Sequence, residues 1–159
     1  MLKNSISKNQ NLSVFDAEGT ALHWMSLFLR ITLALVFFPH GAQMLLGWFG
    51  GGGFAATMNF LTENAGLPWL AGLTVILLQS VGSIGLALGI FSRLLALSFI
   101  VILIGMVLTS HLDHGFFMNW YGKQAGEGYE FHLLAIGMSM ALLIGGGGKY
   151  AISRKTIFS

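Results

Sequence analysis

The sequence predicts an all-α, polytopic membrane protein: a bundle of four transmembrane helices with both termini in the cytoplasm. Composition is the first reason, because 55% of the 159 residues are hydrophobic and only 9% are charged, whereas a soluble domain carries about 25% charged residues. Segment length is the second, because an apolar helix needs roughly 17 to 25 residues to cross the hydrocarbon core. Four spans approach or exceed this length, at about 22–46, 69–90, 94–110 and 131–147.

These spans divide the chain into three parts. Residues 1–20 form a polar cytoplasmic tail, residues 21–150 the transmembrane domain, and residues 151–159 a basic cytoplasmic tail. Backbone groups in lipid must be satisfied within the segment, so the spans are predicted to be helices. Pro39 predicts a kink in the first helix, because proline removes a backbone hydrogen bond and clashes with the preceding turn.

The distribution of cations predicts the orientation. With the N-terminus inside, only Lys123 lies on the outer side. The cytoplasmic side then carries Lys3, Lys8, Arg93, Lys149, Arg154 and Lys155. This asymmetry follows the positive-inside rule. The cations flank apolar segments instead of forming a basic stripe, so the lipid bilayer is the expected partner and nucleic acid is not.

The chain contains no cysteine. This excludes disulfides, cysteine-ligated zinc, iron–sulfur clusters and covalently attached c-type haem. It also excludes a thiol nucleophile. Any electron transfer therefore requires a bound quinone, haem or metal, or a partner protein.

Ionisable side chains from three spans converge on the predicted outer face. Such groups are costly in or near hydrocarbon, so they are functional candidates. The candidates for proton transfer or ligand binding are His40, His111, Glu130 and His132, with Gln43 and His114 as further cofactor-binding candidates. In the alternative interpretation, the histidines are solvated at the interface and Glu130 favours the positive end of the fourth helix.

Several chemistries suit these imidazole and carboxylate groups. They include proton transfer near neutral pH, hydrogen bonds to a quinone carbonyl, and ligation of zinc, iron, copper or nickel. His40, His111 and His132 are the candidate ligands of a divalent metal, and a b-type haem is a further alternative. Glu130 and His132 are two residues apart and do not share a helical face, which argues against both binding one ion.

Two features within the spans have mainly structural interpretations. Arg30 has no acidic residue near it in the cytoplasmic half of any span. It is expected either to snorkel to the inner headgroups or to hydrogen-bond backbone carbonyls, Gln79 or Ser80. The small residues of the second helix, with Gly85 and Gly89 four apart, favour close helix packing, within the bundle or in a homo-oligomer.

Several short motifs follow one another in a characteristic order over about residues 27–150. These are Arg30, Pro39-His40-Gly41-Ala42-Gln43, Gly66-Leu67-Pro68, Gly85 through Gly89, Phe91-Ser92-Arg93, His111, Glu130 and Gly147-Gly148-Lys149-Tyr150. In their order and spacing the chain resembles the DoxX family of small bacterial four-helix membrane proteins. Two positions depart from the family pattern. Met44 stands where a lysine is common, and Ala151-Ile152-Ser153 stands where a serine–aspartate pair is frequent.

The resemblance implies a bacterial inner-membrane component linked to redox chemistry, since name-giving members are associated with thiosulfate:quinone oxidoreduction and others with oxidative-stress complexes. The leading hypothesis is a redox-associated subunit with a quinone, small-molecule or metal site at its outer mouth and a redox partner protein. The alternative is a non-catalytic scaffold for a redox or stress-response complex. A solute pathway ranks last, because few polar residues lie at mid-membrane depth.

Overall fold

The computed structural model describes the backbone of residues 2–153 and the side chains of residues 19–153. Within this range all regular secondary structure is helical, which confirms the all-α prediction. The α-helices are α1 Leu2–Leu46, α2 Gly53–Asn59, α3 Trp69–Leu77, α4 Ser83–Leu88, α5 Ser92–Met106 and α6 Glu130–Gly145. Residues 154–159 of the predicted basic tail lie outside the described range.

Helix α1 is longer than the predicted first span. It runs for 45 residues and contains Pro39, and its apolar part covers Gly19–Leu46. The backbone of residues 2–20, predicted as a tail, continues this helix. No glycine or proline interrupts residues 2–18, and extending an existing helix is much easier than nucleating a new one.

The second and third spans each contain a π-helical turn. Helices α3 and α4 are joined through Leu78–Gly82, which gives one apolar span, Trp69–Leu88. It ends two residues before the predicted boundary because Gly89 adopts a left-handed φ of 72°. Helix α5 continues through a π-helical turn at Val107–His111 and a 3₁₀ turn, so the third span is Ser92–His114.

The fourth span is the shortest. Helix α6 has 16 residues and is about 24 Å long, less than the roughly 30 Å of hydrocarbon. Gly146, with a φ of 71°, ends it before the predicted boundary at residue 147. In the described part of the chain, three helices are therefore long and apolar enough to cross a membrane, and α6 packs against α5 and α1.

The core lies where α1, α4, α5 and α6 meet. Phe37 of α1 stacks on Phe99 of α5 with ring centroids 4.5 Å apart. Other buried members of this cluster are Leu33, Leu78, Leu86, Ala96, Leu103, Ala135 and Leu142. Large apolar side chains such as Leu35 and Val101 point outward and are exposed. Apolar residues both inside and outside are expected of a bundle surrounded by lipid.

The two ends of the bundle differ. The end with the α4–α5 turn and residues 146–153 is here called the terminal end, and the end with connections 47–68 and 112–129 the loop end. The first connection contains helix α2 and a π-helical turn at Phe60–Asn64, which the sequence did not predict as helical. The second has little regular structure and folds back on itself through hydrogen bonds.

Candidate functional site

Two histidines from different helices meet at the loop end. The rings of His111, at the end of the third span, and His132, in the first turns of α6, have centroids 4.2 Å apart and planes 42° apart. His111 Nδ1 lies 2.8 Å from the backbone oxygen of Glu127. A carbonyl oxygen only accepts, so Nδ1 carries the hydrogen and Nε2 remains free to accept in the neutral ring.

His132 lies behind His111 and has a polar atom without a partner. Its side chain is buried, with 7% of its surface exposed, and its Nδ1 has no hydrogen-bond partner. Buried polar atoms are nearly always paired, so an exception needs an explanation. The His111–His132 pair is therefore the most unusual polar feature at this end.

A cleft of about 980 Å³ opens beside His111. It lies between the connection 47–68, which contains α2, and helices α3 and α5, and its walls are mostly apolar. The polar residues that line it are Thr57, Thr74, Thr109, Ser110 and His111. Thr74 and Thr109 donate to backbone oxygens one turn earlier, at 2.8 and 2.9 Å. Among the described residues that line the cleft, His111 is the one with an ionisable side chain, and it lies at the loop end.

Glu130 organises the connection 112–129 at the loop end. Its Oε1 accepts hydrogen bonds from the Met118 backbone N–H and from Trp120 Nε1, both at 3.2 Å. Glu127 Oε2 accepts from the Asn119 backbone N–H at 2.7 Å. The structure thus uses both carboxylates to fold residues 116–130 and places neither on the wall of the cleft.

The other sequence-predicted site residues are not among those that line the cleft. Gln43 donates to the Phe49 oxygen at 3.3 Å and supports the glycine-rich turn after α1. His114 packs against Gly126 within the connection 112–129. His40 is exposed. It has roughly the same depth as His132, since each lies about 20 Å along its helix from the contact between Ser26 and Gly145.

The described residues do not assemble a ready cluster of metal ligands around the histidine pair. Among the described residues, no group of three or more His, Cys, Asp or Glu side chains could hold a metal ion. The rings of His111 and His132 are in direct contact, so no porphyrin fits between them. His40, His111 and His132 therefore do not form the three-ligand cluster considered from the sequence.

Arg30 is buried and does not snorkel. Its side chain is 0% exposed, and Nη1 donates to the Ala87 oxygen at 3.3 Å. The expectation of a backbone carbonyl partner is correct, and the snorkelling alternative is wrong. Gly89 permits this approach, because a Cβ there would collide with Arg30 Nη1 and with Ala151. Gly85 packs on Leu95, so both glycines have partners within the chain.

Sequence reasoning missed two features of this site. Glu127 was not singled out, although its backbone oxygen orients His111 and its carboxylate orders the connection. Gly105 was also missed; it lines the cleft, and a Cβ there would meet no atom within 4 Å. No sequence motif marks either residue, because both act through the packing of segments distant in the chain.

Fold and site together define a helical membrane protein with an apolar cleft beside His111, whose ring contacts the buried His132. The sequence matches the DoxX family model over residues 25–112. This is more than half of the chain, and the protein belongs to the DoxX family. The matched region includes His40 and His111 and ends before Glu130 and His132. Comparison with curated proteins and with solved structures gives no match.

Proposed function

We propose that this protein is a redox-associated subunit of the bacterial inner membrane that binds a quinone in the cleft beside His111. The observation that carries the proposal is the position of His111, at the loop end of an apolar cleft of about 980 Å³. Ligand sites typically have volumes of about 300–1,000 Å³, apolar walls and few polar groups. A quinone has a matching shape, with a polar ring and an apolar prenyl tail.

The tautomer of His111 suits the two oxidation states of such a ligand. With Nδ1 donating to Glu127, the neutral ring accepts a hydrogen bond from a quinol hydroxyl through Nε2. The protonated ring donates from Nε2 to a quinone carbonyl. A bound quinone supplies the electron chemistry that a cysteine-free chain lacks, and a redox partner protein exchanges the electrons. His132 positions the His111 ring and does not line the cleft.

The proposed topology has four crossings with both termini in the cytoplasm. The positive-inside asymmetry supports this orientation, and α6 is proposed as the fourth crossing despite its 16 residues. A short span is accommodated by local thinning of the bilayer. The quinone ring then lies near the outer surface, where the cleft meets the loop end.

Binding of decylubiquinone to detergent-purified protein tests the proposal. His111→Phe removes the hydrogen bond, and Gly105→Phe fills the cleft. Matched controls are His40→Phe, an exposed residue that does not line the cleft, and Gly137→Phe, whose Cβ position is also free of neighbours. We expect affinity losses of about tenfold or more for the first pair and little change for the controls. Equal affinities in all four variants would reject the cleft.

A scaffold is the second candidate, because the outer connection presents aromatic side chains. Trp120, Tyr121 and Phe117 are 78%, 87% and 67% exposed. Aromatic residues are enriched at protein interfaces and at the membrane surface. If the protein binds no quinone, and Trp120→Ala and Tyr121→Ala remove a co-purifying redox protein, the scaffold becomes the better description.

A further inference from the structure

A second polar cluster lies at the terminal end, far from the cleft. Its centre is Arg30, whose Nη1 donates to Ala87 while Nε and Nη2 have no hydrogen-bond partner. Ser92 Oγ is likewise buried without a partner. Both side chains are 0% exposed. A buried guanidinium with unsatisfied donors is strongly unfavourable unless a counter-charge or further acceptors are present.

Ala151, in the segment that follows α6, lies near both Arg30 and Ser92. Ala151 Cα lies 2.6 Å from the place that a Gly89 Cβ would occupy, a place that Arg30 Nη1 also crowds. Ser92 Oγ and Ala151 Cβ lie 2.6 and 2.8 Å from the corresponding place at Gly147. Arg30 and Ser92 therefore both flank Ala151, which is itself buried.

No described carboxylate is available as the counter-charge. The carboxylates whose side chains the structure describes are Glu63, Asp113, Glu127 and Glu130, and all four belong to the loop end. The two unpartnered nitrogen atoms of Arg30 indicate what kind of counter-charge would fit. Nε and Nη2 form the side-on edge of the guanidinium, and its two parallel N–H groups match the spacing of two oxygens in a phosphate or carboxylate.

We propose that Arg30 binds a phosphate group through Nε and Nη2, with Ser92 Oγ as a third donor. Because Arg30 is fully buried and Ala151 lies beside it, the phosphate reaches the guanidinium when the segment 148–153 moves aside. Contacts of this segment include backbone hydrogen bonds from Ile152 to Leu88 at 3.1 Å and from Ser153 to Gly89 at 3.3 Å. The source is either free phosphate or a phospholipid headgroup, since the site lies where α4 turns into α5 and the chain leaves the apolar layer.

The test is thermal unfolding of the full chain in detergent, with potassium phosphate against potassium chloride at equal ionic strength. A second arm adds phosphatidylglycerol against a glycolipid that lacks phosphate. Native mass spectrometry and phosphorus analysis report any phosphate or lipid that co-purifies. We expect added phosphate or phosphatidylglycerol to raise the Tm by about 3 °C or more. If the purified protein already retains a phospholipid, we expect the same difference in Tm between the lipid-bound and the delipidated protein. A rise with the lipid alone identifies the headgroup as the source.

Four variants locate the effect. Arg30→Gln should lose it, whereas Arg93→Gln should keep it, because Arg93 is an exposed guanidinium at the same end. Ser92→Ala removes one donor without changing charge and should weaken the effect several-fold. Ala151→Asp places a carboxylate beside Arg30, so the variant should lose the response and retain no phosphate.

Two results overturn the proposal, and both remain readable if Arg30→Gln fails to fold. One is a wild-type protein that retains no phosphate and responds to neither source. The other is a response in Ser92→Ala and Ala151→Asp equal to that of the wild type, which means an adventitious ion only.

Discussion

The imidazole rings of His111 and His132 are in contact, with centroids 4.2 Å apart, although they belong to different helices. One ring has a fixed hydrogen-bond partner, the Glu127 backbone oxygen. The other is buried with an unpaired Nδ1. An unpaired buried nitrogen does not stabilise the fold. A role of His132 in ligand binding can therefore be distinguished from a role in stability.

Replacing His132 with leucine should separate stability from binding. An unsatisfied buried polar atom costs about 1–3 kcal/mol, and leucine fills a similar volume. We expect an unchanged free energy of unfolding or a gain of about 1 kcal/mol, together with weaker decylubiquinone binding. Thermal unfolding and ligand titration on the same preparation measure the two effects. A clear loss of stability with unchanged binding would instead assign His132 a purely structural role.

Gly41 fixes the contact between α1 and the π-helical turn of the second span. A Cβ there would collide with the backbone of Gln79 and Ser80, which cannot rotate away as a side chain would. Gly41→Ala should therefore lower the free energy of unfolding by about 1–3 kcal/mol. Gly137→Ala is the matched control, because its Cβ meets no atom within 4 Å and alanine favours a helix by up to about 1 kcal/mol.

Thermal unfolding of both glycine variants in one detergent gives the comparison. Equal Tm values for Gly41→Ala and Gly137→Ala would show that α1 adjusts to the added methyl group. The close approach at Gly41 would then contribute nothing to the free energy of unfolding.

Glu130 should control the order of the connection 112–129. In Glu130→Ala the Met118 N–H and Trp120 Nε1 lose their acceptor, so trypsin should cleave after Lys123 several-fold faster. Glu130→Gln keeps an acceptor oxygen and should lie between alanine and the wild type. Glu63→Ala, an exposed carboxylate of the other connection, is the control. Mass spectrometry of the fragments identifies the cut, and unchanged cleavage in Glu130→Ala would remove its role as an anchor.

The sequence predicted the helical class, and local signals in it mark where apolar helices begin and end. The second span begins at Trp69, as expected from the preceding Gly66-Leu67-Pro68, and the first ends at Leu46. These features depend on local composition and on glycine and proline, which are visible in the chain. Arg30 was also identified as an unusual buried charge. Its partner was only one of several alternatives, because the approach of Ala87 depends on how α1 crosses α4.

The sequence could not predict which of the candidate side chains come together at the site. A π-helical turn inserts one residue and so rotates the following side chains by about 100°. One such turn, Val107–His111, ends at His111 itself, and another lies in the second span. Periodicity alone therefore could not tell that His111 reaches both the cleft and His132. Nor could it tell that His40 and Gln43 would lie outside the lining of the cleft.

Cysteine labelling from one side of the membrane tests whether α6 crosses it. The chain has no cysteine, so each introduced cysteine is the sole thiol. Useful exposed positions are Glu63 and Gln124 in the two loop-end connections and Ile152 at the terminal end. In intact spheroplasts, a membrane-impermeant maleimide should label Glu63→Cys and Gln124→Cys, and should label Ile152→Cys only after permeabilisation. Labelling of Ile152→Cys in intact spheroplasts, with Gln124→Cys also labelled, would mean that α6 does not cross the membrane. The His111–His132 pair would then lie at the foot of a surface helix.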